Sequence, residues 1–205
     1  ASESPCSADV VVPVPDSGVP AALGYAEAAG LPFELGIIRN HYVGRTFIEP
    51  QQSTRDFGVK LKHNINRDAV NGKRVVLIDD SIVRGTTSIK IVELMRQAGA
   101  REVHMKIASP PIKYPDFYGI DTPDKSQLLA SFKSEKEMTE YIGADSLSFL
   151  SVDGLYRAMG HKQGRDNTNP AFTDHCFTGD YPTPLKDNNV EWLFETSQLS
   201  VRNEN

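Results

Sequence analysis

The sequence predicts an α/β fold, with a mainly parallel sheet flanked by helices and a C-terminal extension. Three observations predict it. Val75-Val76-Leu77-Ile78 is an unbroken aliphatic run with three β-branched residues, which reads as a short strand buried on both faces. A short hydroxyl-rich loop follows, then a segment with apolar residues at helical spacing, 91, 92, 94, 95 and 98, closed by Gly99. The same order of strand, tight turn and helix occurs earlier, at residues 9–15, 16–18 and 19–30. In open α/β sheets, ligands bind beyond the carboxyl ends of the strands, so these two loops are where chemistry is expected.

Taken in order, residues 1–8 are polar and read as a frayed end. Asp9 to Pro15 reads as a buried strand interrupted by proline, and Asp16-Ser17-Gly18 as a tight turn. Pro20 suits a first helical turn, and the alanines favour a helix over 19–30. Leu35 to Ile38 is a short strand, followed by a long aperiodic connection to His63; such connections tend to be lids. The central strand ends in Asp79 and Asp80, and its helix is expected over 88–98. Residues 101–109 form the next strand, with Val103, Met105 and Ile107 on one face and His104 and Lys106 on the other; that leaves His104 without an obvious partner. Helices are expected over 125–132, 135–142 and 152–159, and a last strand over 146–151. Residues 161–205 are rich in Asn, Asp, Pro and Thr. They read as an extension to a domain spanning 1–160, packed on that domain or on a partner, with Trp192 and Phe194 as anchors.

The loop residues have definite chemical uses. Amides from Arg84 to Ser88, at a helix N-terminus, can form an anion nest. Thr86, Thr87 and Ser88 add hydroxyl donors, and Gly85 permits close approach to a ligand. Asp79 and Asp80 are acceptors, suited to sugar hydroxyls or a hydrated divalent cation. Two adjacent carboxylates at the end of a buried strand are costly without a partner. A ribose 5-phosphate group would satisfy both sets. An ordinary capped βα turn explains Ser88 alone but not the whole string. A Walker B reading fails because Gly72-Lys73 runs into Arg74 and a strand, with no phosphate-loop motif upstream; G-x-G-x-x-G is also absent.

The string Asp79-Asp80-Ser81-Ile82-Val83-Arg84-Gly85-Thr86-Thr87-Ser88 resembles the phosphoribosyl-pyrophosphate (PRPP) motif of type I phosphoribosyltransferases. In detail it is similar to that of the glutamine-dependent amidophosphoribosyltransferase family, and the resemblance runs from about Asp9 to Gly160. It implies a type I phosphoribosyltransferase fold in which PRPP and ammonia give 5-phosphoribosylamine and pyrophosphate, the first committed step of purine synthesis. PRPP would be bound by Asp16, Ser17 and Gly18 at the pyrophosphate end and by Asp79, Asp80, Ser81, Arg84, Gly85, Thr86, Thr87 and Ser88 at the ribose-phosphate end. Magnesium would be held near Ser17, Asp79 and Asp80. The segment around Arg45-Thr46-Phe47-Ile48 resembles the family's flexible catalytic loop, which implies Arg45 and Lys62 as catalytic cations and Arg55 and Lys60 as secondary ones. The resemblance also implies purine nucleotides as inhibitors, a homo-oligomer and an N-terminal glutaminase domain, for which this chain has no counterpart. The rival readings are a PRPP-binding regulatory module without turnover and a salvage transferase acting on a free base. The Arg-Thr-Phe-Ile loop speaks against both; the acidic net charge and the lack of a helix-turn-helix signal also count against the first, and the Phe177-Thr178-Gly179 string against the second.

Some members of the family hold an iron–sulfur cluster through cysteines. The positions that match their ligands are Asp116, Thr173 and Cys176, so one thiolate remains and no cluster is expected. The two cysteines, Cys6 and Cys176, lack metal spacing, and free thiols in a cytoplasmic setting are the expectation. No leader or long apolar run is evident, so no membrane partner is expected. The net charge of −5 argues against bulk nucleic-acid binding. An anionic substrate therefore needs a local basic patch, and the cations between Arg39 and Arg74 supply one.

Overall fold

The computed structural model describes residues 1–39 and 63–185. Arg45, Arg55, Lys60, Lys62, Trp192 and Phe194 lie outside the described residues. The elements are β1 (Val10–Pro13), α1 (Val19–Ala29), β2 (Ile37–Arg39), β3 (His63–Ile65), α2 (Arg67–Val70), β4 (Arg74–Asp79), α3 (Thr86–Gln97), β5 (Glu102–Ile107), a 3-10 turn (Lys125–Gln127), α4 (Leu129–Phe132), α5 (Glu135–Ile142), β6 (Ser146–Phe149), α6 (Val152–Ala158) and α7 (His175–Thr178). Four strands form a parallel sheet in the order β1-β4-β5-β6, and β2 pairs antiparallel with β3 in a separate two-stranded sheet. No helix among the described residues is long and apolar enough to cross a membrane.

The period-2 alternation of strands sorts the aliphatic residues between two layers. Val10, Val12, Val75, Leu77, Val103 and Met105 pack on one face with Ile91, Val92 and Met95 of α3 and with Met138 and Ile142 of α5. Val11, Val76 and Ile78 pack on the other face with Ala22, Tyr25 and Ala26 of α1. Residues 75 to 78 are therefore buried on both sides, at most 2 % exposed. A sheet covered on both faces leaves only the strand ends and edges for function.

Several expectations shift on contact with the structure. The helix expected from Ser88 starts at Thr86, because Gly85 takes a left-handed φ of 76° and turns the chain directly into the first helical turn. The helix expected over 125–132 is split at Leu128, which is extended and fully buried; burying this side chain outweighs helical continuity. His104 has two partners: Nδ1 lies 2.9 Å from Ser146 Oγ and Nε2 lies 3.0 Å from Glu102. Reading along one strand missed Ser146 because it sits opposite His104 on β6. The same register brings Lys106 Nζ to Ser148 Oγ, 2.9 Å away. The first residues are not frayed. Glu3 accepts from the Ser151 amide and hydroxyl at the start of α6 and pairs with Arg157, where an anion complements the helix dipole.

Residues 161–185 fold back on α6 and on the loop after β5. Arg165 is the pivot. It donates to Asp174 at 2.6 Å and to Asp180 at 2.6 Å. Its side chain is 8 % exposed and that of Asp174 is 3 % exposed. Burial alone would push the Asp174 carboxyl up; hydrogen bonds from Arg165, Tyr156 and Thr178 outweigh this and hold it below the usual carboxylate range. Removing one partner of such a pair leaves a buried charge uncompensated. Arg165→Met is therefore expected to lower the unfolding free energy by about 3–5 kcal/mol, read as the shift in the urea midpoint. Adding Asp174→Leu to it should recover part of that loss.

Candidate functional site

The two loops singled out in the sequence meet at adjacent strand ends. β1 pairs with β4 so that Pro13 lies opposite Ile78, and Val14 extends the pairing by donating its amide to Ile78 O at 2.7 Å. The turn after β1 folds back tightly, with the Gly18 amide on Val14 O at 3.0 Å. Gly18 is pressed against β4: a Cβ there would lie 2.5 Å from Ile78 O and 2.8 Å from Val14 O. Glycine is required at this position for space, since its φ of −73° is ordinary. Asp16 and Ser17 are exposed beside it.

Across this seam β4 ends in Asp79, 6 % exposed. Its Oδ1 accepts the Asp80 amide at 2.9 Å, and among the described residues no Lys or Arg pairs with it. Burial, then the neighbouring Asp80 charge, pushes its carboxyl up to about 7. Asp80 is exposed and accepts from the Ser81 hydroxyl at 3.2 Å. The loop then leads through Arg84 to Gly85. There a Cβ would meet Leu129 Cδ2 at 2.7 Å, with Tyr141 behind it. Ser88 is buried under the loop, while Thr86 is exposed and Thr87 half-buried. The free amides at the start of α3 thus sit next to the acceptors Asp79 and Asp80, an arrangement able to bind an anion and a diol side by side.

Two contributors escaped the linear reading, and a third entered it only as part of the basic patch. Gln127 Oε1 accepts from Arg84 Nε at 3.0 Å, and the Leu129 amide donates to Val83 O at 2.8 Å. The turn into α4 therefore braces the loop between β4 and α3 from 43 residues away. Arg39, at the end of β2, forms an ion pair with Asp16, and its Nε is buried without a hydrogen-bond partner. Only Arg39 left a trace in the sequence, as the first cation of the basic patch.

A second polar cluster draws on none of these loops' residues. Asp116 Oδ1 is 2.8 Å from His175 Nε2, while its Oδ2 accepts the amides of Tyr118 and Ile120. His175 is flanked by the rings of Tyr118 and Tyr181 at 5.0 and 5.1 Å. Cys176 is next in the chain, and its carbonyl accepts from Lys113 and Tyr114. Two of the positions expected to match iron–sulfur ligands, Asp116 and Cys176, are thus brought together, but with an imidazole between them. One thiolate among oxygen and nitrogen donors does not fit a cluster.

Comparison with known proteins agrees with this geometry. A family model described as a phosphoribosyl transferase domain matches residues 2–108. An amidophosphoribosyltransferase of Rhizobium etli is 68 % identical over 192 residues, covering 93 % of this chain and 38 % of the relative. One from Bacillus subtilis is 55 % identical over 190 residues, covering 93 % of this chain and 40 % of the relative. Among solved structures, the glutamine PRPP amidotransferase of B. subtilis complexed with ADP and GMP superposes with a TM-score of 0.80 at 56 % identity, over 91 % of this chain and 41 % of that one. The chain spans about two fifths of the length of these relatives.

Proposed function

The chain belongs to the phosphoribosyltransferase-domain family, and from that premise we propose that it is the PRPP-handling part of a glutamine-dependent amidophosphoribosyltransferase. The observation that carries the proposal is the seam itself, an anion nest with two acceptors on β4 set against a second tight turn on β1. The amides from Arg84 to Ser88 take the 5-phosphate. Asp79 and Asp80 accept from the ribose hydroxyls, and the turn Asp16-Ser17-Gly18 faces the pyrophosphate. Arg45 and Lys62 are assigned to the leaving group. Ammonia attacks the anomeric carbon; the C–O bond to pyrophosphate breaks with its electron pair, and the new ammonium nitrogen loses a proton to solvent. No side-chain nucleophile takes part, so catalysis is positioning and charge neutralisation.

Magnesium fits the donors present. Ser17, Asp79 and Asp80 are hard oxygen donors, and the buried Asp79 carboxyl lacks a cation among the described residues. When bound, magnesium neutralises charge on the departing pyrophosphate. In an intact relative the ammonia would come from glutamine hydrolysed elsewhere in the protein. Purine nucleotides are proposed to compete at or near the same loops, supported by the relative solved with ADP and GMP.

With magnesium and PRPP, this chain is expected to release pyrophosphate in ammonium buffer and not with glutamine. Glutamine-dependent turnover by this chain alone would overturn the assignment. PRPP binding without pyrophosphate release in ammonium would point instead to a regulatory module.

A further inference from the structure

The Asp116–His175–Cys176 cluster has no part in the reaction proposed above. One carboxylate oxygen, one ring nitrogen and one sulfur lie within 4.8 Å of one another. The Asp116 and His175 side chains are 2 % and 6 % exposed, and Cys176 is half-buried. His175 uses one ring nitrogen on Asp116, while the other, Nδ1, is buried with no hydrogen-bond partner. Nε2 and the Asp116 oxygen already face each other, so an ion shared by the two residues takes the place of this contact, and Nδ1 stays the ring's N–H.

We infer that Asp116, His175 and Cys176 form a mononuclear site for a zinc-class divalent cation, with water as the fourth ligand. The donor set is mixed oxygen, nitrogen and sulfur, which suits zinc or cobalt and disfavours magnesium. Metal–ligand lengths of about 2.0–2.3 Å place tetrahedral ligands about 3.3–3.8 Å apart. The cluster therefore closes on an ion with side-chain shifts of about an ångström. The scaffold for it is already built. The Asp116 loop is closed by the amides of Tyr118 and Ile120. Tyr181 donates to Pro115 O at 2.8 Å, and the Cys176 carbonyl holds Lys113 and Tyr114. The ion would clamp residues 175–176 to the loop after β5, and it would do so independently of whether PRPP binds at the seam.

The test is cobalt titration of the full chain after chelator treatment. The thiolate-to-cobalt charge-transfer band in the near ultraviolet should saturate at one tightly bound equivalent, and zinc should displace it. Cys176→Ser should abolish the band and weaken binding at least tenfold, and His175→Gln should weaken it similarly. Cys6→Ser and Asp79→Asn should leave the band unchanged. Cys176 is half-buried, so Cys176→Ser carries the test alone if His175→Gln fails to fold by circular dichroism. Absence of the band in the unmodified chain, or a band retained in Cys176→Ser, would overturn the inference.

Discussion

Replacing Gly18 by alanine is expected to disable the seam and to destabilise the sheet beneath it. The added Cβ meets backbone at Ile78 O, 2.5 Å, and at Val14 O, 2.8 Å. Neither oxygen can swing aside as a flexible side chain would. Ile78 O is also the acceptor for Val14, and Val14 O the acceptor for Gly18 itself, so relief of the clash opens the β1–β4 pairing just where the two loops meet. Overpacking of this kind costs about 1–3 kcal/mol, and the lost hydrogen bonds place Gly18→Ala at the upper end. Displacing the turn should also reduce PRPP affinity at least about tenfold, the cost of about 1.5 kcal/mol for one lost amide contact to a charged group. Gly24 supplies the control. It lies in α1, where an added Cβ would have nothing within 4 Å, and Gly24→Ala should stabilise by about 0.5–1 kcal/mol with PRPP binding intact. Urea unfolding and calorimetric titration of the two variants separate the outcomes; wild-type behaviour of Gly18→Ala would refute the close contact.

This contrast also marks what the sequence could convey. Both strand–loop–helix units were legible because an aliphatic run, a turn and helical spacing are local patterns. So was which of Asp79 to Ser88 can donate and which can accept, because residue type alone decides that. Lateral order was not. Nothing local says that β1 lies beside β4, and that adjacency turns Gly18 from an ordinary turn residue into one with no room for a methyl group. The same gap hid Ser146 from His104, Gln127 from Arg84 and His175 from Asp116. In each case the partner lies on another element, and in the last it is 59 residues away. Gly85 was legible as a glycine that allows close approach, but the Leu129 side chain that crowds it belongs to a different segment. Arg45 and Lys62 remain assignments from resemblance, since they fall outside the described residues.

Asp79→Asn should make the ligand-free protein more stable at pH 8 while weakening its PRPP binding about ten- to hundredfold. The carboxyl is pushed from the ordinary value of 3.8 up to about 7 by burial and by Asp80. A carboxyl whose folded-state pKa is raised favours the protonated native state. The unfolded chain then binds fewer protons, so stability falls as pH rises from about 4 to about 7 and levels off above that. A shift of this size corresponds to at most about 4.4 kcal/mol, at 1.36 kcal/mol per unit, and nearby water will reduce it. The asparagine variant cannot ionise, so the downward slope between pH 4 and 7 should vanish and stability at pH 8 should rise by about 1–3 kcal/mol. Function moves the opposite way. Losing a charged acceptor for a ribose hydroxyl costs about 1.5–3 kcal/mol, a ten- to hundredfold loss of PRPP affinity. For the unmodified chain, ligand binding must draw the proton off Asp79, so binding near pH 6 should release close to one proton and weaken as pH falls below 7. Calorimetry in buffers of different ionisation enthalpy measures that proton directly. An unchanged pH–stability slope in Asp79→Asn would show that Asp79 is not the group responsible. If the slope vanishes, the buried carboxyl that costs the empty fold stability is the same group proposed to accept from the ribose.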